Sequence, residues 1–233
     1  MIVVKLADLP IGIDNRFPYL ETFAKDYLTD EEPLFTVSVT DEDLAREAEA
    51  SEYDPPRDYL ESIAAYRKIA EILPEYDAVV FHGAVLSYGG RAYAFTARSG
   101  VGKTTHTRLW LSTLGGDVHY LNGDKPIIRL IDGVPYAYGT PWRGKEGYGV
   151  NESAPLSSIA LLERGVTNCA RIVEPKDGAL RLMSQIYIPQ APVAAALTMR
   201  VADRIAKSVR FVELRCNMEP EAALVASKAM IQE

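Results

Sequence analysis

The stretch Ala97-Arg98-Ser99-Gly100-Val101-Gly102-Lys103-Thr104-Thr105-His106-Thr107 decides how the rest of the chain is read. An apolar, aromatic run, Tyr93-Ala94-Phe95, precedes it, and a helical pattern comes after it. The order is strand, glycine loop, helix. Such a loop turns backbone N–H groups and a helix N-terminus toward one point, and that point binds phosphate. Lys103 then reaches the outer phosphates as a point charge, and the Thr104 hydroxyl sits on a magnesium ion. The pattern G-x-x-x-x-G-K-[ST] is met in part. Ala97 stands where its first glycine belongs, while Gly102-Lys103-Thr104 is intact and Gly100 adds a second flexible point. The residues expected around a nucleotide are Ser99, Gly100, Val101, Gly102, Lys103, Thr104 and Thr105. A glycine-rich turn with an incidental lysine is the competing reading; the order of strand, loop and helix favours phosphate.

Outward from this loop, three features add chemistry. Asp124 follows the apolar run Val118-His119-Tyr120-Leu121, about twenty residues after Thr104, where a second magnesium-holding acid sits at a strand end. It could hold the metal or accept a proton. An ordinary turn aspartate is the alternative, because Asn122-Gly123-Asp124 is also turn chemistry. His82 ends the strand Ala78–Phe81 and could orient a phosphate or move a proton near neutral pH; a buried structural histidine is the plainer reading. Arg143 and Lys145 lie in the glycine-rich run Gly139–Lys145. They could neutralise a transferring phosphoryl group, or form a solvated basic tip.

The rest of the chain supplies a frame of mixed elements. Met1–Leu6 and Leu34–Val39 read as strands, and Tyr19–Leu28 as a short helix or loop. Thr40 caps a helix running to about Ala50, and Arg57–Leu73 is a second helix ended by Pro74. Beyond Ala78 strands dominate. Gly89-Gly90 and Asp132-Gly133 each sit between apolar runs and predict tight hairpins. Thr104–Leu114 is a helix with Leu109, Trp110 and Leu114 on an apolar stripe. Leu156–Leu162, Ala170–Val173 and Val209–Leu214 are strands; Lys176–Ile186, Pro192–Ser208 and Glu219–Gln232 are helices. Hairpins mean antiparallel pairs, so an α/β (α+β) fold on a mixed, largely antiparallel sheet with flanking helices is expected. Residues 1–76 form an N-terminal α+β subdomain or decoration, and residues 77–233 the nucleotide-binding domain.

The 233 residues are 48% hydrophobic with a formal net charge of −7, enough for one sizeable core. The acidic balance argues against a nucleic-acid partner. No apolar run reaches membrane-spanning length. Cys169 and Cys216, in apolar-alternating segments, are expected as core thiols in a reducing cytoplasm.

These motifs together carry a resemblance. Phe81-His82-Gly83, the hairpin, Phe95–Thr105 and Asn122-Gly123-Asp124 resemble the catalytic domain of HPr kinase/phosphorylase, itself similar to the nucleotide-binding domain of ATP-dependent phosphoenolpyruvate carboxykinase. The resemblance covers residues 78–145 by motif. It implies the carboxykinase-like P-loop fold, ATP and Mg²⁺ as cofactors, and transfer of the γ-phosphoryl group to a serine or similar hydroxyl on a protein, peptide or small molecule. It places Lys103 and Thr104 at phosphate and metal, His82 near the reacting phosphate, and Asp124 at the second position of the family's Asp-Asp pair. Gly123 departs from that pair. The family's C-terminal signature region is also absent, so phosphorolysis is not implied. Two other functions remain open: a nucleotide-binding regulatory or scaffold protein without catalysis, and phosphoryl transfer to a small oxo-acid. The acceptor, and any assembly into a homo-oligomer, are not legible.

Overall fold

The computed structural model describes residues 1–98 and 100–231. Ser99 of the phosphate loop and the expected helix end at Gln232 lie outside the described residues.

Two sheets carry the fold. In the smaller, β1 (Ile2–Leu6) turns back into β2 (Leu9–Asp14), and β3 (Phe35–Ser38) adds parallel to β2. The turn residues Ala7 and Asp8 have φ of 51° and 60°, the left-handed pair that a two-residue hairpin requires. The sequence reading lacked β2, because Pro10 and Gly12 break its strand pattern. Helix α1 (Tyr19–Phe23) and a 3₁₀ turn (Lys25–Tyr27) come after β2. Helix α2 (Asp41–Ala50) starts as expected. Asp43 N donates to Thr40 Oγ1 at 3.2 Å, and Thr40 N donates to Asp43 Oδ2 at 2.9 Å, a reciprocal cap worth about 1 kcal/mol. Helix α3 (Arg57–Ile72) buries Leu60, Ala64, Ala65 and Ile69.

The larger sheet has nine strands among the described residues. They are β4 (Ala78–Val80), β5 (Ala84–Tyr88), β6 (Arg91–Thr96), β7 (His119–Asn122), β8 (Ile127–Ile131), β9 (Val134–Tyr138), β10 (Ser153–Arg164), β11 (Cys169–Val173) and β12 (Arg210–Cys216). β10 joins its two halves. Residues 153–155 pair antiparallel with β9, while residues 156–161 and 158–164 pair parallel with β6 and β12. Every other pair in this sheet is antiparallel. Both expected hairpins form, with positive φ at Gly89, Gly90, Asp132 and Gly133. Helices α4 (Lys103–Leu114), α5 (Pro175–Met183), α6 (Pro192–Ser208) and α7 (Glu221–Met230) flank the sheet.

One core joins the small sheet and α3 to the edge of the large sheet at Ala78, Val80, Ile127, Tyr138 and Trp142. Trp142 stacks on Tyr66 at 3.9 Å between centroids, and its Nε1 donates to Ser62 O at 3.1 Å. Residues 1–76 thus pack on the site-bearing sheet through a shared apolar layer.

The cysteine expectation needs correction. Cys169 is exposed and Cys216 only half-buried. β11 is an edge strand paired with β12 alone, and of its five positions only Val173 is buried. On α4 the expected stripe packs on the core, Trp110 buried and Leu109 and Leu114 half-buried against it, and His106 and Thr107 are buried beside them. Among the described residues, no helix is long and apolar enough to cross a membrane.

Candidate functional site

β6 delivers the glycine loop 97–102 at its carboxyl end, between β5 and β10 in the sheet. Gly100 and Gly102 take φ of 76° and 118°, conformations open to glycine and strained for other residues. Gly102 is the N-cap of α4 and accepts from His106 N at 2.9 Å. The first N–H groups of α4 have no partner within the helix, which makes its N-terminus an anion site. At the end of β10, the Arg164 guanidinium donates to the carbonyls of Gly100 and Val101, the latter at 3.3 Å. Arg164 stands outside the phosphate cleft, so it occupies two loop carbonyls from behind. No sequence signal pointed to it, because the contact spans more than sixty residues.

A cleft of about 540 Å³ opens in front of the loop. His82, Gly100, Gly102, Lys103, Thr104, Thr105, Asp124, Arg143 and Lys145 all line it. Val101 does not; it faces hollows on the other side of the loop. The sequence reading also missed Tyr59 of α3, and Glu146 and Tyr148 of the 143–149 segment. Tyr59 reaches the cleft from a helix far away in sequence. Glu146 and Tyr148 come directly after the basic pair, and the glycines between them were the available signal.

Asp124 is the electrostatic centre. Its Oδ1 lies 3.5 Å from His82 Nε2 and 3.9 Å from Lys103 Nζ, and its Oδ2 lies 3.6 Å from Lys125 Nζ. Burial by itself raises the carboxyl pKa; the contacts with His82, Lys125 and Lys103 outweigh it and hold Asp124 at about 2. The carboxylate is therefore ionised at every working pH. Burial lowers the Lys103 ammonium from its ordinary value, and Asp124 opposes that shift. The strand end is held by buried Asn122, whose Oδ1 accepts from the N–H groups of Asp124 and Lys125, both at 2.8 Å. Its Nδ2 donates to Thr140.

His82 is fixed through its backbone. Its N donates to Gln185 O at 2.6 Å, and its O accepts from Thr96 Oγ1 at 3.1 Å. Gly83 is required beside it, since a Cβ there would stand 2.2 Å from the Phe81 ring and 2.7 Å from Phe95 O.

Gly123 has its own steric reason. Its N donates to Tyr148 O at 2.8 Å, and a Cβ would meet Arg143 O at 3.0 Å and Tyr148 O at 3.3 Å. The 143–149 segment lies directly against Gly123. That segment is tied down elsewhere by side chains. Glu146 pairs with Arg108 at 3.0 Å, Tyr148 stacks on Tyr120 at 4.6 Å, and the Tyr148 hydroxyl accepts from Arg108 at 2.9 Å. Arg143 lies 3.4 Å from Asp26 and over the Tyr27 ring at 5.8 Å. Arg143 lines the cleft, but its guanidinium leans on the N-terminal layer. Lys145 is exposed.

Among the described residues, no three His, Cys, Asp or Glu side chains cluster as a metal cage. The Asp124 carboxylate and the Thr104 hydroxyl share the cleft, whose other carboxylate, Glu146, is paired with Arg108. That donor set fits a hard cation that takes its remaining ligands from phosphate and water.

A further hollow of about 440 Å³ lies at the carboxyl ends of β10 and β12. It shares Gly100, Gly102 and Thr105 with the cleft and adds Asn217 and the exposed Met218.

No protein-family model matches the chain, and no curated protein matches it. Among solved structures, the chain is similar to the HPr(Ser) kinase/phosphatase from Coxiella burnetii, with 9% identity and a TM-score of 0.37. The match covers 64% of this chain and 87% of that one. A likeness this distant establishes neither activity nor substrate.

Proposed function

We propose that the chain is an ATP- and Mg²⁺-dependent kinase of the HPr-kinase-like, carboxykinase-like P-loop type, transferring the γ-phosphoryl group to a serine or similar hydroxyl. The observation that carries this reading is the convergence of Lys103, Thr104, Asp124 and His82 on one cleft at the N-terminus of α4. Residues 77–233 form the nucleotide-binding unit, and residues 1–76 add a wall that includes Tyr59.

The loop N–H groups and Lys103 bind the phosphates. Thr104 and Asp124 would hold Mg²⁺, which neutralises charge on the β- and γ-phosphates when bound. His82 takes the acceptor proton. Asp124, held near pKa 2, is a weak base, but as an anion 3.5 Å from the imidazole it steadies the protonated ring. Arg143 and Lys145 face the transferring group from the opposite wall. The nucleoside end of ATP would have the hollow lined by Thr105, Asn217 and Met218 open to it.

Calorimetry with MgATP tests the nucleotide half. Lys103→Ala removes the buried cation of the cleft, and the expected result is loss of measurable ATP binding; an unchanged affinity overturns the reading. ADP release tests the kinase half. Gly123 keeps a binding-only function in view, and ATP binding without ADP formation, whatever hydroxyl acceptor is offered, would establish it.

A further inference from the structure

A separate hollow of about 290 Å³ opens on the other side of His82, walled by α3, the end of β4 and the 184–187 segment. Its floor is apolar: Tyr66, Val80, Phe81 and Ile186 are each less than a tenth exposed. Its rim is polar, with His82 and Lys125 reaching solvent. His82 lines both this hollow and the phosphate cleft. Because its backbone is tied to Gln185 and Thr96, its imidazole stands on the partition between the two spaces.

A small ligand held whole needs polar groups converging inside its pocket. Here the polar side chains His82, Arg67, Lys125, Ser184 and Gln185 all reach solvent, while the buried lining is aliphatic or aromatic and its one hydroxyl, on Tyr66, is spent on Lys125 O, which suits an apolar side chain whose own backbone stays at the rim. We propose that this hollow takes an apolar side chain of a peptide acceptor, and so sets the neighbouring serine or threonine hydroxyl against His82. The proposal rests on the kinase reading above and assigns that site its acceptor class. It also gives α3 a role, since Ile63 and Tyr66 of that helix form one wall. In the reaction, the hydroxyl oxygen forms a new bond to the γ-phosphorus as the bond from that phosphorus to the β–γ bridging oxygen breaks. The hydroxyl proton passes to His82, and ADP leaves.

The test compares two acceptors with saturating MgATP, N-acetyl-Leu-Ser-Leu-amide and N-acetyl-Gly-Ser-Gly-amide, reading ADP release and phosphoserine by mass. The leucine peptide is expected to be used with a kcat/KM about tenfold or more above the glycine peptide, the discrimination an apolar pocket supplies. Ile63→Trp, which fills the hollow, should bring that ratio to about one while ATP affinity stays at the wild-type value. Ile63→Ala, which enlarges it, should keep a preference for the leucine peptide and covers the case of a poorly folded tryptophan variant. Equal use of both peptides by wild type, with turnover lost in Lys103→Ala, overturns this proposal and leaves the kinase reading standing. Isobutanol phosphorylated as well as the leucine peptide overturns the peptide assignment. ATP binding without ADP release from any of the three overturns the kinase reading, and this proposal with it.

Discussion

Two glycine-rich loops face each other across the cleft. Residues 97–102 carry Gly100 and Gly102 at positive φ; residues 143–149 carry Gly144, Gly147 and Gly149 there. By composition they are alike, and the second is the more basic at its start. They differ in the element each one leads into and in the contacts that hold it. The first runs into twelve residues of helix, so its amides add to a helix N-terminus and can gather anionic charge. The second returns along β7, with Val150 N donating to Leu121 O at 3.2 Å and Gly123 N to Tyr148 O. Its polar side chains pair with Arg108 and Asp26. One loop leads into a helix N-terminus, the other closes against a strand end. Glycine content alone does not distinguish a binding loop from a covering one.

The two acids of the cleft offer the strongest contrast. Asp124 stands at a strand end between two lysines and the His82 imidazole, whereas Glu146 sits on the covering loop, paired with exposed Arg108. Asp124→Asn is expected to lower phosphoryl transfer by about 10²–10⁴-fold, the range for loss of acid–base and metal support. Glu146→Gln should change it by less than about threefold, as an exposed pair contributes little. ADP release in steady state reads both. Equal losses would mean that the covering loop supplies the second acid after all.

The glycines give the next contrast. Gly102 has φ of 118° and Gly147 has φ of 69°, and an added Cβ meets nothing within 4 Å at either. Both substitutions therefore act through backbone strain, about 1–3 kcal/mol. Only at Gly102 does relaxing that strain move the amides proposed to hold phosphate. Gly102→Ala should weaken ATP binding about tenfold to a hundredfold; Gly147→Ala should lower the melting midpoint and leave ATP affinity unchanged.

This difference also marks what the sequence reveals. Strand, loop and helix at 91–114 are local, so spacing placed Lys103 and Thr104 with no knowledge of the fold. His82 and Asp124 were legible as strand-end residues, since a tight hairpin and a short strand leave few ways to fold back on the loop. Tyr59 and Arg164 were not, because they reach the site across the sheet and no local pattern records such contacts. β2 was hidden by Pro10 and Gly12. Cys169 failed for a related reason: alternation reports a strand but not whether it lies at an edge. Gly123 was read as a lost acid; its place against Arg143 O and Tyr148 O adds a packing cause that only the long-range geometry supplies.

A pH experiment separates the phosphate helix from its surroundings. Buried His106 has an Nε2 with no hydrogen-bond partner among the described residues, and burial lowers its pKa to about 4. In the unfolded chain the ordinary value is about 6.5. The unfolded state therefore binds the proton first. Stability from keeping His106 neutral is complete above about pH 6.5 and is lost as pH falls toward 4, amounting to roughly 2–3 kcal/mol by pH 4.5. Urea unfolding of wild type and His106→Leu at pH 7 and 4.5 checks this. The variant should lose less stability than wild type over that interval, and parallel losses would place the proton elsewhere.

The smallest expected effect decides what Gly123 means. If the position only lost an acid, Gly123→Asp restores the pair and raises turnover at little structural cost. If the 143–149 segment needs the space, the new Cβ pushes on Arg143 O, a backbone atom that cannot rotate away. Crowding of that kind costs about 1–3 kcal/mol, and each kcal/mol lowers the midpoint of a chain this size by about 2–4 °C. The close approach favours the second outcome: a lower melting midpoint and no gain in ADP release. Because the strain falls on the covering loop, amide exchange at Gly144–Tyr148 should quicken while that of α4 stays slow. A gain in turnover at an unchanged midpoint would show the covering loop to be loose enough to yield. The contrast between the two loops would then be one of sequence and not of stiffness.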